Sequence, residues 1–184
     1  MKLKDLILVA LFAALTAVGA IIQIPMIPVQ ITLQTLFCIM AGLLLGPVKG
    51  ALSQVVYLAL GLFGVPVFTG GGGLAYVLKP SFGYLIGFVA GSFVSGFIAF
   101  KLRKLTFFKA LFAALAGALT IYLIGVPYLY LILNLNTPGV MPLDKALVTG
   151  AVVFLPGDAL KCIVAALVAV LVRPALIRSG YQFR

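Results

Sequence analysis

Apolar residues run almost without pause along this chain, and polar residues collect at the few places where the runs stop. Taking those interruptions as boundaries predicts helices over about 6–24, 31–46, 49–65, 81–100, 110–133 and 146–172. IPMIP ends the first run, GPVKG the second and the glycine-rich PVFTGGGGLAYVLKP the third. The basic KLRKLTFFK follows the fourth and NLNTPGVMPLDK the fifth. Pro127 is expected to kink the fifth helix. Pro156-Gly157 is expected to break the last region into a short segment and a final helix from about residue 157.

Most of these runs suit a bilayer, which takes roughly 20 apolar residues per helical crossing. A chain of 184 residues then has room for about six crossings. The fold predicted is an all-α integral membrane bundle of six transmembrane helices, residues 1–184 forming a single transmembrane domain. Composition agrees, with 64% hydrophobic residues, 9% charged residues and a mean hydropathy of +1.30, far from the balance of a soluble domain. The start, MKLKDLILVALFAALTAVGAIIQIP, has the basic lead of a signal peptide. Its apolar run is too long for one, and further spans follow, so it reads as a retained first helix.

A net charge of +10 raises the question of nucleic acid, and the placement of the charges answers it. With six crossings, Lys2, Lys4, Lys49, Lys101, Arg103, Lys104, Lys109, Arg173, Arg178 and Arg184 share one side. Only Lys79 and Lys145 fall in loops on the other. By the positive-inside rule both termini are cytoplasmic, and the basic side needs no nucleic acid, though it suits anionic lipid. The loops 25–30, 66–80 and 134–145 are then external. Two of them are long for a compact bundle, which points to a binding site open to the outside.

Little reactive chemistry is available. The chain has no His, Glu or Trp, and its acids are Asp5, Asp144 and Asp158, so triads, metalloprotease sites and paired carboxylates lack their parts. Cys38 and Cys162 have no metal or disulfide spacing and read as buried thiols. TGGGGL lacks the Lys-Ser/Thr ending of a phosphate loop, so ATP hydrolysis within this chain is not expected. No metal or other cofactor is implied.

FLPGDALKC carries the one charge pair within a long apolar stretch, Asp158 and Lys161 at i, i+3, which puts both on one helical face. A lone charge at mid-membrane costs about 2.5–3.5 kcal/mol on the insertion scale, so the pair should face the bundle interior or a wet cavity. Two roles stay open: Asp158 caps the last helix with Lys161 balancing it, or the two form a polar wall of a ligand site. Gly70, Gly71, Gly72 and Gly73 form either a flexible turn or a loop whose backbone approaches a ligand. Tyr57, Phe68, Tyr76 and Tyr84 flank that loop and, taken singly, read as interfacial anchors or packing residues. Ala10 with Ala14, and Ala13 with Ala17, are small-xxx-small pairs on the first helix, suited to internal packing or to a partner subunit. Gly42/Gly46 and Gly87/Gly91 repeat the pattern and are expected to pack internally.

Together, PVQITLQTLFCIMAGLLLGPVKGALSQVVYLALGLFGVPVFTGGGG, KPSFGYLIGF and FLPGDALKC resemble the BioY family, the biotin-specific S components of bacterial energy-coupling-factor transporters. The resemblance spans about residues 5–173. It implies a multi-pass protein of the plasma membrane with a vitamin pocket near the outer face. It also implies, as partners, a transmembrane coupling protein (T component) and two ATPase subunits, which explains the missing nucleotide motif. The family's coupling-protein contact corresponds to Ala10, Ala14 and their neighbours Ala13 and Ala17. Tyr84, Asp158, Lys161 and Gln34 are carried over as pocket candidates, with Phe68 and the glycine run supplying surface for the biotin bicycle. Asp158 would accept a ureido N–H and Lys161 would donate to the ureido carbonyl or balance charge; Lys79 would meet the tail carboxylate. The reverse orientation is equally compatible. KPSFGY departs from the family's usual GPTGGY at Lys79, Ser81 and Phe82. The competing readings are an S component for another vitamin, an integral membrane enzyme using Asp158 and Lys161, and a membrane scaffold.

Overall fold

In the computed structural model, residues 2–102, 104–136 and 141–181 are described. Arg103 and Arg184 of the inward basic set, and residues 137–140 of the third external loop, lie outside them. The order is α1 (Leu3–Ile21), β1 (Gln23–Ile24), β2 (Ile31–Thr32), α2 (Gln34–Leu45), α3 (Pro47–Leu62), α4 (Phe82–Lys101), α5 (Phe107–Asn136), α6 (Leu143–Gly150) and α7 (Leu155–Arg178). Short 3₁₀ turns occupy Leu74–Leu78 before α4 and Val152–Phe154 between α6 and α7. Among the described residues, α1, α4, α5 and the stretch Leu143–Arg178 are long and apolar enough to span a bilayer; α2 and α3 are apolar but shorter.

Local chemistry accounts for where the elements begin and end. The α1 helix starts at Leu3 because the Asp5 carboxylate turns back to accept the Lys2 backbone N–H at 3.1 Å, filling one of the free donors at the helix start. Residues 31–32 were expected in the second helix. They instead form an antiparallel ladder, Gln23 against Thr32 and Ile24 against Ile31, so α2 begins at Gln34. Gly46 has φ 86°, a left-handed geometry that suits glycine, and it turns α2 directly into Pro47, whose fixed φ suits the first turn of α3. The α5 helix continues through Pro127. The break in the last region falls at Ala151–Phe154 and not at Pro156-Gly157. Proline in a first turn lacks an N–H that would have no helical partner anyway, so Pro156 starts α7.

Helix α2 is the hub of the bundle and contacts α1, α3, α4, α5 and α7. At 12 residues it is about 18 Å long, well short of the roughly 30 Å apolar layer. Its outer faces are almost entirely buried, and the approach to α4 depends on small residues. A Cβ at Gly42 would collide with the Ser92 carbonyl and the Ser95 hydroxyl. The Gly87 and Gly91 positions on α4 lie similarly close to the α5 backbone around Ile121 and Gly117.

One end of the bundle brings the start of α1 beside the end of α7: Lys4 Nζ donates to the Ser179 carbonyl at 3.3 Å. Nearby, the buried Lys49 of α3 pairs with Asp5 of α1 at 2.9 Å and lies over the Tyr181 ring. Tyr181 in turn donates to the Leu45 carbonyl at 3.0 Å. Deeper in, Gln54 of α3 bonds Thr16 of α1, both fully buried, which satisfies amide and hydroxyl away from water. The opposite end carries the β-hairpin, the 63–81 loop and α6, and the core beneath them is aromatic, built on Tyr57, Phe68, Tyr76, Tyr84, Phe88 and Phe154.

The Gly42 contact gives a test with a sign. Alanine normally gains about 1 kcal/mol over glycine within a helix, whereas overpacking against backbone costs about 1–3 kcal/mol. Gly42→Ala is therefore expected to lower the melting temperature of detergent-purified protein. Gly157→Ala, whose Cβ would meet nothing within 4 Å, is expected to leave it unchanged or raised.

Candidate functional site

A small cavity of about 40 Å³ opens between the aromatic core and the covering loops. It sits by the N-terminus of α2, where Gln34 and Thr35 line it. Its walls are Val29, Leu85, Phe88, Ile121 and Phe154, with two polar regions set into them.

The first polar region comes from α7 and α5. Because α7 starts at Leu155, Asp158 lies in its first turn and Lys161 follows on the same face. Lys161 Nζ donates to Asp158 Oδ1 at 2.6 Å, and Tyr122 Oη donates to Asp158 Oδ2 at 2.5 Å. Asp158 and Lys161 are only 6% and 8% exposed, so the two charges neutralise each other in an apolar setting. Helix α7 has no side-chain cap: the carboxylate is spent on Lys161 and Tyr122, and the capping role left open by the sequence is not taken. An ammonium has three donors. Only one has a partner among the described residues, leaving two N–H groups of Lys161 beside the cavity.

The second polar region is built around Gln34 on the first turn of α2. Its amide oxygen accepts from Thr32 Oγ1 at 3.0 Å and Thr69 Oγ1 at 3.2 Å, while its amide nitrogen donates to Tyr57 Oη at 2.6 Å. Tyr76 donates to the Thr69 carbonyl at 2.9 Å, and Ser81 donates to Tyr76 Oη at 3.3 Å. Tyr84 presents its ring to the cavity and donates its hydroxyl to the Gly150 carbonyl at 2.7 Å, tying α4 to the end of α6.

Asp158, Lys161, Tyr84 and Gln34 thus border one cavity. Phe68 and the glycine run do not line it. Phe68 is wedged between Tyr57 and Tyr76. Gly70, Gly71 and Gly73 take positive φ, and Gly73 N–H closes the loop on the Gly61 carbonyl at 2.7 Å, while a Cβ at Gly72 would strike the Val65 carbonyl. These residues shape the cover. Lys79 is exposed, donating to the Gly70 carbonyl at 3.3 Å above the Tyr76 ring, and is not a lining residue either. On α1 the two alanine pairs separate: Ala13 is buried in the aromatic core and Ala17 packs against it, whereas Ala10 and Ala14 face outward among exposed Leu6, Ile7, Leu11 and Val18.

Tyr122, Thr69, Thr32 and Ser81 line the cavity without having been singled out as site residues. Thr69 and Ser81 were within reach, since one adjoins the glycine run and the other lies in KPSFGY. Tyr122, inside the apolar run of α5, carries no local signal; its role depends on the α5–α7 packing.

The BioY family model matches residues 1–178. The chain is 42% identical over 170 residues to a probable biotin transporter BioY of Pyrococcus horikoshii, covering 92% of this chain and 96% of that protein. It is 49% identical over 130 residues to a probable biotin transporter BioY of Lysinibacillus sphaericus, covering 71% and 66%. Among solved structures it is similar to a crystal structure of the S-component for biotin from an ECF-type ABC transporter, with a TM-score of 0.82, 35% identity, and coverage of 94% of this chain and 92% of that one.

Removing one partner of a buried pair leaves a bare charge and costs about 3–5 kcal/mol, while replacing both by apolar or neutral groups is often close to neutral. Lys161→Met should therefore lower the melting temperature of the ligand-free protein more than the double substitution Asp158→Asn/Lys161→Met does. Equal losses would mean that the pair is not electrostatically coupled.

Proposed function

The chain belongs to the BioY family, and on that premise we propose that it is the S component that captures biotin from outside the cell and passes it across the membrane with an ATP-driven energy-coupling module. It is a multi-pass membrane protein and a transporter subunit, not an enzyme. The observation that carries the biotin assignment is the buried Asp158–Lys161–Tyr122 group bordering the cavity, with the apolar walls beside it.

A ureido ring offers two N–H donors and one carbonyl acceptor. Asp158 keeps lone pairs beyond those used by Lys161 and Tyr122, and Lys161 keeps two N–H groups, so the pair can take a ureido N–H and supply its carbonyl at the same time. Binding then exchanges water around a buried charge for a ligand of matching polarity. The aromatic walls suit the thiophane ring and the aliphatic tail. Lys79, on the cover, would meet the tail carboxylate.

The rest of the reading follows from the same premise. Six helical regions, α1 to α5 and α7, make up the bundle in the plasma membrane, with both termini in the cytoplasm and the hairpin, the glycine loop and α6 outside. The chain carries no cofactor. A T component docks on the Ala10/Ala14 face of α1, where small residues allow close helix approach, and two ATPase subunits supply the energy.

Two measurements check this. In isothermal titration of detergent-purified protein with biotin, Asp158→Asn and Lys161→Ala are each expected to weaken binding at least tenfold, about 1.4 kcal/mol. Unchanged affinity in both would take the pair out of the site, and no heat from the unmodified chain would end the biotin assignment. Ala14→Trp is expected to block co-purification with the coupling module while sparing biotin binding; loss of biotin binding instead would make Ala14 an internal packing residue.

A further inference from the structure

The amide of Gln34 is almost used up by the protein itself. Tyr57 has a single hydroxyl proton and donates it to the Val67 carbonyl at 3.1 Å, so its oxygen must accept from Gln34. That places the amide nitrogen toward Tyr57 and the amide oxygen toward the two threonines. Thr32 ends the β-hairpin, and Thr69 belongs to the loop that carries the glycines. One buried side chain therefore joins the glycine loop, through Thr69, to the foot of the hairpin, where Thr32 also accepts the Gln34 backbone N–H at 3.3 Å, and Tyr57, which does not line the cavity, fixes its orientation and separately tethers the loop through Val67.

We propose that Gln34, oriented by Tyr57, is a positioning residue that latches the hairpin and the glycine loop together over the cavity and so sets the rate at which ligand enters and leaves. The inference rests on the biotin-binding reading. Thr69 cannot move outward without leaving the Gln34 oxygen, and Val67 cannot move without leaving Tyr57. The interactions lost are between parts of the protein, so weakening them favours the open state without removing the Asp158–Lys161 end of the site. Entry and release then speed up together, a pattern that loss of a direct ligand contact, which acts mainly on release, does not give.

The test is rapid-filtration kinetics of radiolabelled biotin on the detergent-purified full chain, with release followed after an unlabelled chase. Tyr57→Phe is expected to raise both the association and the dissociation rate by roughly five- to tenfold, since two hydrogen bonds are cut, with Kd changed by less than about threefold. Gln34→Ala is expected to accelerate both rates as well, and the double substitution should fall short of the product of the two single effects because they act through one network. Should Tyr57→Phe fail to fold, Thr69→Val, which cuts the bond from the glycine loop to the Gln34 oxygen, is expected to speed association and release together. Unchanged rates, faster release alone, or effects that multiply fully would overturn the latch. Failure of the unmodified chain to bind biotin would overturn it together with the biotin assignment, whereas normal biotin binding with unaltered variant kinetics would overturn the latch alone.

Discussion

The ion pair between Lys161 and Asp158, 2.6 Å long and shut inside an apolar bundle, is the interaction around which the site is organised. Neither charge is tolerable there alone. Each needs the other, Tyr122 has to reach the carboxylate from α5, and α7 has to begin where it does so that the two side chains share a face. The 3₁₀ turn before α7 makes that start possible, and Tyr84 secures its upstream side by bonding Gly150. The pair is nevertheless incompletely satisfied, because two donors of Lys161 have no protein partner among the described residues. A buried cation with donors to spare at a cavity wall is costly for stability and useful for recognition.

The cavity lies where α2 begins. The helix is short, almost entirely buried and held by contacts at glycine and serine against α4, so the bundle stays close-packed toward the terminal end. There the Asp5–Lys49 pair, Tyr181 and the Thr16–Gln54 bonds join α1, α3 and the end of the chain. Toward the other end the same helix stops at Gln34, and the volume beyond it is roofed by the hairpin and the glycine loop. Rigid base and covered cavity meet at this one short element.

Much of this was legible in the order of residues because it follows from local rules. Apolar runs and their Pro/Gly interruptions located the helical regions, and the i, i+3 spacing brought Asp158 and Lys161 face to face. What was not legible depended on neighbours distant in sequence. Pro156 looks like a helix breaker until its position in a first turn removes the penalty, so the break was expected several residues too late. Ile31 and Thr32 extend an apolar run and became a strand because Gln23 and Ile24 lie opposite. The four alanines of α1 look equivalent along the chain, yet packing separates Ala13 and Ala17, inside, from Ala10 and Ala14, outside. Tyr122 became recognisable only once α5 lay beside α7. The glycine run drew attention as a surface for ligand, while its positive φ angles and its closure on Gly61 serve the loop; the polar contribution comes from Thr69 beside it.

The most direct test of the central claim is a crystal structure of this chain with biotin bound. The account predicts the ureido ring within hydrogen-bonding distance of both Lys161 Nζ and the Asp158 carboxylate, with the bicycle against Tyr84, Phe88 and Phe154. Biotin bound elsewhere, with Lys161 and Asp158 still facing only each other and Tyr122, would contradict it.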